Sequence, residues 1–329
     1  MPDTTPEPIL QLATGFMAAK HLFIANEIGL FAALRDGPAP LDRLATLTGT
    51  ARPRVRILAD ALVTLGLIER HGDQYQNGPV AAAFLSGKGP ANLGPFLRFW
   101  NHISYPLWTK LEDTVRTGQR QQGMTLPKEQ EQIYLEGVEA LMAAPAAALA
   151  TAYDFRRHRR VLDLGGGIGA WLVALLRRYP TLEGTLFDLP DAAALARQRL
   201  AGDPSVQRAQ VVAGDFFTDP IPRGHDAVLI ANVIHLYSPA HNLELLRRTR
   251  AQVPDGARLL LADWWTDATH TQPPIAALVA GEFLMFSGEG DVYSEQEARG
   301  WLQESGWRAV ERKPLAGALS LLVAETAAS

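Results

Sequence analysis

The chain has 329 residues, 47% apolar and 20% charged, which is enough for about two domains with a sizeable core. Its 31 basic residues meet 35 acidic ones for a formal charge of −4, so it carries neither the basic footprint of a nucleic-acid binder nor a polybasic membrane anchor. Cysteine is absent, and the closest histidines, His235 and His241, are not spaced as an HExxH pair; thiolate chemistry, disulfides and Fe–S clusters are excluded, and no metal is expected.

The first eight residues are acidic and proline-rich instead of basic and then apolar, so no export signal is expected and the chain is assigned to the cytosol. The longest uncharged apolar stretch, Ala140 to Tyr153, is shorter than the ~18 residues a bilayer span needs and contains Pro145. No membrane association is expected.

From Ile9 to Leu34, apolar residues recur at helical spacing (Leu12, Phe16, Ala19, Phe23, Ile24, Ile28, Phe31), predicting one long helix with a broad apolar face. A short helix from Leu41 to Gly49 follows. Next comes a helix from Arg52 to Arg70 with Val55, Leu58, Ala59, Leu62 and Leu65 inward, then a turn at His71-Gly72-Asp73. Helices with a small β-wing suggest a winged helix-turn-helix. Arg52, Arg54 and Arg56 would suit DNA binding, but the acidic balance and the large domain downstream favour a packing or dimerisation module.

After a Gly/Pro-punctuated stretch (residues 87–95), an aromatic helix spans Phe96 to Trp108; a polar loop from Gly118 to Lys128 and a helical run to about Tyr153 complete the link. Beyond Arg160 the pattern changes. Strands are expected at 161–164, 184–187, 210–213, 227–231, 258–262, 309–313 and 319–324, and helices near 168–178, 191–201, 239–252, 274–286 and 295–305. Such alternation implies βαβ units and a mostly parallel sheet covered on both faces. The last two strands have no helix between them and should form an antiparallel pair at one edge. Ser238 before Pro239 is an N-cap signal, and Ser294 with Glu297 is a capping box. The expected fold class is therefore α/β, a Rossmann-like seven-stranded sheet behind a helical winged-helix domain. The boundaries are 1–95, 96–155 (linking helices) and 156–329.

The first of these strands runs into Val161-Leu-Asp-Leu-Gly-Gly-Gly-Ile-Gly-Ala170, a turn where glycine lets the backbone bend sharply and a ligand lie against it. Gly165-x-Gly167-x-x-Ala170 also satisfies a dinucleotide fingerprint, so a nicotinamide oxidoreductase stays open at this point. Asp163, just before the glycines, would oppose a pyrophosphate and welcome a cation. Asp188, ending the second strand in Leu186-Phe-Asp-Leu-Pro190, is placed for ribose hydroxyls. Gly214-Asp215-Phe216 offers a carboxylate for an exocyclic amine and an aromatic face for a purine. One acid per strand end describes S-adenosyl-L-methionine, which carries an ammonium and a sulfonium and no phosphate. Gly165, Gly167, Gly169, Leu189, Gly214 and Asn232 complete the expected cofactor set.

These segments, with the downstream Asn232-Val-Ile-His-Leu-Tyr-Ser238 and Ala262-Asp-Trp-Trp265, resemble the class I methyltransferases. More narrowly, they resemble the small-molecule O-methyltransferase family of plant phenylpropanoid and bacterial polyketide-tailoring enzymes. The likeness covers nearly the whole chain and implies a homodimer through the N-terminal helices. His235 matches the family's catalytic base and Asp263 an acid that flanks it. Two positions depart from the pattern. Leu236 stands where an aspartate is frequent and Val292 where a second acid is expected, so Asp291 beside it is the other candidate for orienting His235.

Phe96, Phe99, Trp100, His102, Tyr105 and Trp108, with Trp264, Trp265, Phe283, Met285 and Phe286, are expected to build a pocket for a flat aromatic or polyketide-like acceptor. His225 and His241 read as surface residues, and residues 156–160 as a solvated helix end. The expectation is O-methylation of a small secondary metabolite. C- or N-methylation, a non-methylating enzyme of the same fold using the cofactor as a fixed charge, and a ligand-sensing DNA-binding regulator are the alternatives.

Overall fold

The computed structural model describes residues 4–88, 91–121 and 126–327. The chain forms two compact units that interleave in sequence, one of residues 1–106 with 127–141, the other of 107–126 with 142–329. The segment 96–155 is thus shared between them. Residues 89–90 and 122–125, inside the Gly/Pro stretch and the polar loop, and residues 1–3 of the acidic amino terminus lie outside the described residues.

The first unit contains α1 (Glu7–Glu27), α2 (Leu30–Ala33), α3 (Leu41–Thr48), α4 (Arg52–Thr64), α5 (Pro79–Phe84) and α6 (Gly94–Phe99), with the three-stranded antiparallel wing β1 (Ala39–Pro40), β2 (Ile68–His71) and β3 (Gln74–Asn77) in the order β1-β3-β2. Its core gathers Leu30, Phe31, Leu44, Val55, Ala59, Leu62, Ile68 and Tyr75. Two expectations are corrected here. The helix expected over 9–34 breaks at Gly29, whose φ of 73° is a left-handed conformation that separates α1 from α2. The helix expected over 52–70 stops at Thr64, because Gly66 takes a positive φ and residues 68–71 pair with 74–77. Leu65 consequently ends outside, at 43% exposure. The aromatic helix is α6, a π-helical turn (Trp100–Ser104) and α7 (Tyr105–Trp108).

Next come α8 (Leu111–Thr117) and α9 (Lys128–Ala152). The second unit then builds a seven-stranded sheet from β4 (Arg160–Leu164), β5 (Glu183–Asp188), β6 (Ala209–Ala213), β7 (Ala227–Ala231), β8 (Arg258–Trp264), β9 (Trp307–Pro314) and β10 (Leu319–Thr326). The order is β6-β5-β4-β7-β8-β10-β9. The first five strands are parallel, and β10 pairs antiparallel with both β8 and β9, the expected edge arrangement. The helices α10 (Ala170–Arg178), α11 (Pro190–Leu200), α12 (Pro239–Arg250), α13 (Pro274–Ser287) and α14 (Glu295–Glu304) connect the strands, with none of them between β6 and β7 and both α13 and α14 between β8 and β9. β7 is buried along its whole length, as a central parallel strand covered on both faces must be. Ser238 caps α12, and Ser294 with Glu297 forms the capping box of α14.

Candidate active site

The strand order reverses between β4 and β7, and ligands of open α/β sheets bind at the carboxyl ends of strands beside such a switch point. At the end of β4, Gly165, Gly167 and Gly169 all have positive φ. Space matters as much as φ there: a Cβ on Gly165 would lie 2.7 Å from a Val233 methyl. Asp163 lies beneath the loop. Its carboxylate is 0% exposed, neither oxygen has a partner among the described residues, and a Cβ on Gly166 would meet it at 2.8 Å. Burial, with the charge of Asp188 adding to it, pushes this carboxyl up to about 7.

Asp188 ends β5. Its Oδ2 accepts the Gly167 N–H at 2.6 Å and its Oδ1 the Leu189 N–H at 2.7 Å; burial raises its pKa and these two bonds pull it back down. On the next strand the Gly214 N–H donates to the Asp188 carbonyl at 2.9 Å. Asp215 Oδ1 accepts the Phe217 N–H at 2.8 Å. Phe216 is buried, 4.8 Å from the Phe217 ring and 5.7 Å from the Tyr237 ring. Phe217 and Tyr237 therefore extend the aromatic surface expected from Phe216 alone. A hydrophobic pair directly after a strand-terminal Gly-Asp was the signal for Phe217.

Beyond β7, Asn232 takes a φ of 57°, a left-handed conformation uncommon for a non-glycine residue, and its buried Oδ1 has no partner among the described residues. Three residues on, His235 is buried, with its Nδ1 2.6 Å from Asp263 Oδ1. The same oxygen accepts the Trp264 N–H at 2.8 Å, so Asp263 is the acceptor and Nδ1 carries the proton. Nε2 is left as the basic nitrogen, and no bond to it occurs among the described residues. The Phe283 ring stacks on the imidazole at 3.6 Å with 19° between planes. Asp291 does not pair with the imidazole. Its N–H donates to the His235 carbonyl at 3.1 Å, while its Oδ1 accepts the Val292 N–H at 2.7 Å.

The expected acceptor residues fall in both units. In the second, Trp108 packs on α13, where a Cβ on Gly281 would come within 2.9 Å of its indole, and Trp264, Phe283 and Phe286 are half-buried. Trp265 and Met285 belong to the interior, at 1% and 0% exposure; Trp265 Nε1 donates to the Ser320 carbonyl. In the first unit, Phe96, Phe99 and Trp100 form an aromatic group with centroids 5.8 to 6.4 Å apart. Lys20 Nζ lies 4.4 Å from the Tyr105 ring centroid, and the exposed His102 bonds Glu27 at 2.8 Å.

Two histidine expectations are corrected. His225 is 2% exposed and bonds Thr185 Oγ1 at 2.9 Å, an interior contact between residues 40 apart in sequence. His158, within the segment read as solvated, is buried with Nε2 2.8 Å from the Tyr153 hydroxyl. His241 is half-exposed and pairs with Glu289.

A sequence profile of the O-methyltransferase domain matches residues 108–308, and one of the O-methyltransferase dimerisation domain matches residues 10–87. The chain is 33% identical over 308 residues to a 3-hydroxy-5-methyl-1-naphthoate 3-O-methyltransferase of Streptomyces sahachiroi, covering 92% of this chain and 89% of that one. It is 29% identical over 326 residues to the tetracenomycin polyketide synthesis 8-O-methyl transferase TcmO of Streptomyces glaucescens, covering 97% and 96%. The solved structure of PigF with SAH matches at a TM-score of 0.86 with 26% identity, over 98% of this chain and 100% of that one.

Proposed function

The chain belongs to the S-adenosylmethionine-dependent O-methyltransferases that tailor secondary metabolites, and from that premise we propose that it methylates a hydroxyl of a small aromatic or polyketide-like acceptor with His235 as general base. The observation that carries the assignment is the buried His235–Asp263 pair. It leaves one imidazole nitrogen unbonded among the described residues, on the loop that follows β7.

The residues fit the cofactor. A buried carboxylate without partners under a glycine loop suits a ligand that brings positive charge, and Asp163, Asp188 and Asp215 together disfavour a pyrophosphate. When bound, S-adenosylmethionine supplies a methyl group on a sulfonium whose charge disappears on transfer. Asp188 and Asp215 would hold the ribose and base. Phe216, Phe217 and Tyr237 would offer an apolar face to the purine.

A phenol has a pKa of about 10, so its proton needs a base near neutral pH, and His235 Nε2 would take it. Asp263 keeps Nδ1 protonated and balances the imidazolium that forms. The Phe283 ring excludes water from one face of the imidazole. The chain also carries the matched dimerisation domain, and a homodimer through α1 accounts for that helix's outward apolar residues Ile9, Leu10, Leu12, Phe16 and Met17. Two of the three arginines read as candidate DNA contacts pair with carboxylates, Arg52 with Asp42 and Arg56 with Asp60, so their charge is partly offset.

The test is turnover with S-adenosylmethionine and a panel of phenols and hydroxyquinones, following S-adenosylhomocysteine and methylated product together. His235→Ala is expected to lose about 10²-fold or more in kcat while calorimetry shows unchanged cofactor binding. A variant with full activity removes the base assignment, and product without S-adenosylhomocysteine removes methyl transfer.

A further inference from the structure

His235 sits in a single 3-10 turn (Ile234–Leu236) between β7 and α12, and irregular backbone of this kind leaves carbonyls that need partners. Groups from outside the turn supply them. Asn242 Nδ2, on α12, donates to the Ile234 carbonyl at 2.9 Å and to the Tyr237 carbonyl at 3.0 Å. The Tyr293 hydroxyl also donates to the Tyr237 carbonyl, at 2.6 Å.

Asn242 is 0% exposed and lies in the buried stripe of α12 with Leu245, Leu246 and Thr249. Its Oδ1 is buried without a partner among the described residues. An amide here is costlier than an aliphatic side chain of similar volume, because half of its polar capacity is desolvated and unused. Helix packing alone therefore gives no reason for asparagine. Its two N–H groups do: they hold the carbonyls on either side of the segment His235–Leu236.

We propose that Asn242 is a positioning residue for His235, tying both ends of the turn to α12 so that the imidazole keeps the geometry in which Nδ1 meets Asp263 and Nε2 faces the acceptor. This rests on His235 being the base. Asn242 acts through the loop backbone and takes no part in proton transfer.

The test is Asn242→Leu, which keeps the branched shape of the side chain and deletes both bonds, made alone and together with His235→Ala. Misplacing a reacting group by about 1 Å costs up to about 10²-fold, so kcat is expected to fall about tenfold or more. The Kd for S-adenosylmethionine should change far less than kcat, because among the expected cofactor residues Asn242 bonds only the Tyr237 backbone carbonyl, which the Tyr293 hydroxyl also holds. In the His235→Ala background the same substitution should add less than about twofold, since the group it positions is gone. The imidazole ¹⁵N signals of His235, identified by their loss in His235→Ala, should show Nδ1 losing its single protonated form. Unchanged kcat, an equal loss in both backgrounds, or an unaltered ¹⁵N spectrum each overturns the proposal. If His235→Ala itself keeps full activity, the base reading falls instead, and the ¹⁵N spectrum alone judges whether Asn242 positions the ring. Should Asn242→Leu not fold, Asn242→Ala deletes the same bonds without adding volume and is read the same way.

Discussion

Asp163 shows what a buried carboxylate without a partner among the described residues costs the free protein. Its folded pKa, about 7, lies above its unfolded value, so its contribution to stability is greatest below the unfolded pKa and is lost as pH rises through the folded one. Asp163→Asn should therefore stabilise the cofactor-free protein above pH 7, by on the order of a few kcal/mol, and far less at pH 5. Thermal unfolding at the two pH values measures this; equal shifts at both would remove the assigned cause. The same variant should bind S-adenosylmethionine more weakly. Asp163's place at a strand end was legible because it is written locally, in a carboxylate just before four glycines. His225 was not. Its environment is Thr185 on a strand two positions away in the sheet, and nothing near residue 225 in sequence announces that contact.

Helices and strands were legible wherever hydrophobic periodicity and punctuation agreed, as at Ser238-Pro239 and Ser294-x-x-Glu297. The element that surprises is the turn after α13. The φ of Gly290 lies outside the left-handed region, so any residue could adopt its backbone. A Cβ there would nevertheless sit 2.6 Å from the His235 carbonyl and 2.8 Å from the Phe283 carbonyl. Gly290→Ala must push apart the two segments that carry the imidazole and the ring stacked on it. The expected result is a loss of about tenfold or more in kcat with retained cofactor affinity. Gly300→Ala, whose Cβ would meet nothing within 4 Å, should leave turnover unchanged. Equal behaviour of the two variants in a steady-state assay would refute the steric argument. Asn242 carries a similar lesson: the spacing of residues 242, 245, 246 and 249 marks a buried stripe, but only the loop folded against it reveals what the amide holds.

At the scale of the whole molecule, α1 leaves Leu12 at 84% and Phe16 at 51% exposure. By length and mean hydropathy α1 and residues 130–152 could each cross a membrane, yet α1 falls largely within the matched dimerisation domain, and in the proposed homodimer its apolar face would meet a second copy. Leu12→Glu combined with Phe16→Glu is expected to halve the mass seen by light scattering; a dimer that survives both charges would move the interface elsewhere. The amino-acid sequence by itself determined the alternation of strands and helices, the glycine loop and the acid at each of the first three strand ends. All of these depend on neighbours within a few residues or on a repeating period. Tertiary structure alone decided that Asp263 and not Asp291 meets the imidazole, that Trp265 and His225 face the interior, and that Asn242 and Gly290 bear on the His235 turn. Each of those depends on which distant backbone comes within a few ångströms, and that distance is set by the packing of strands and helices against one another.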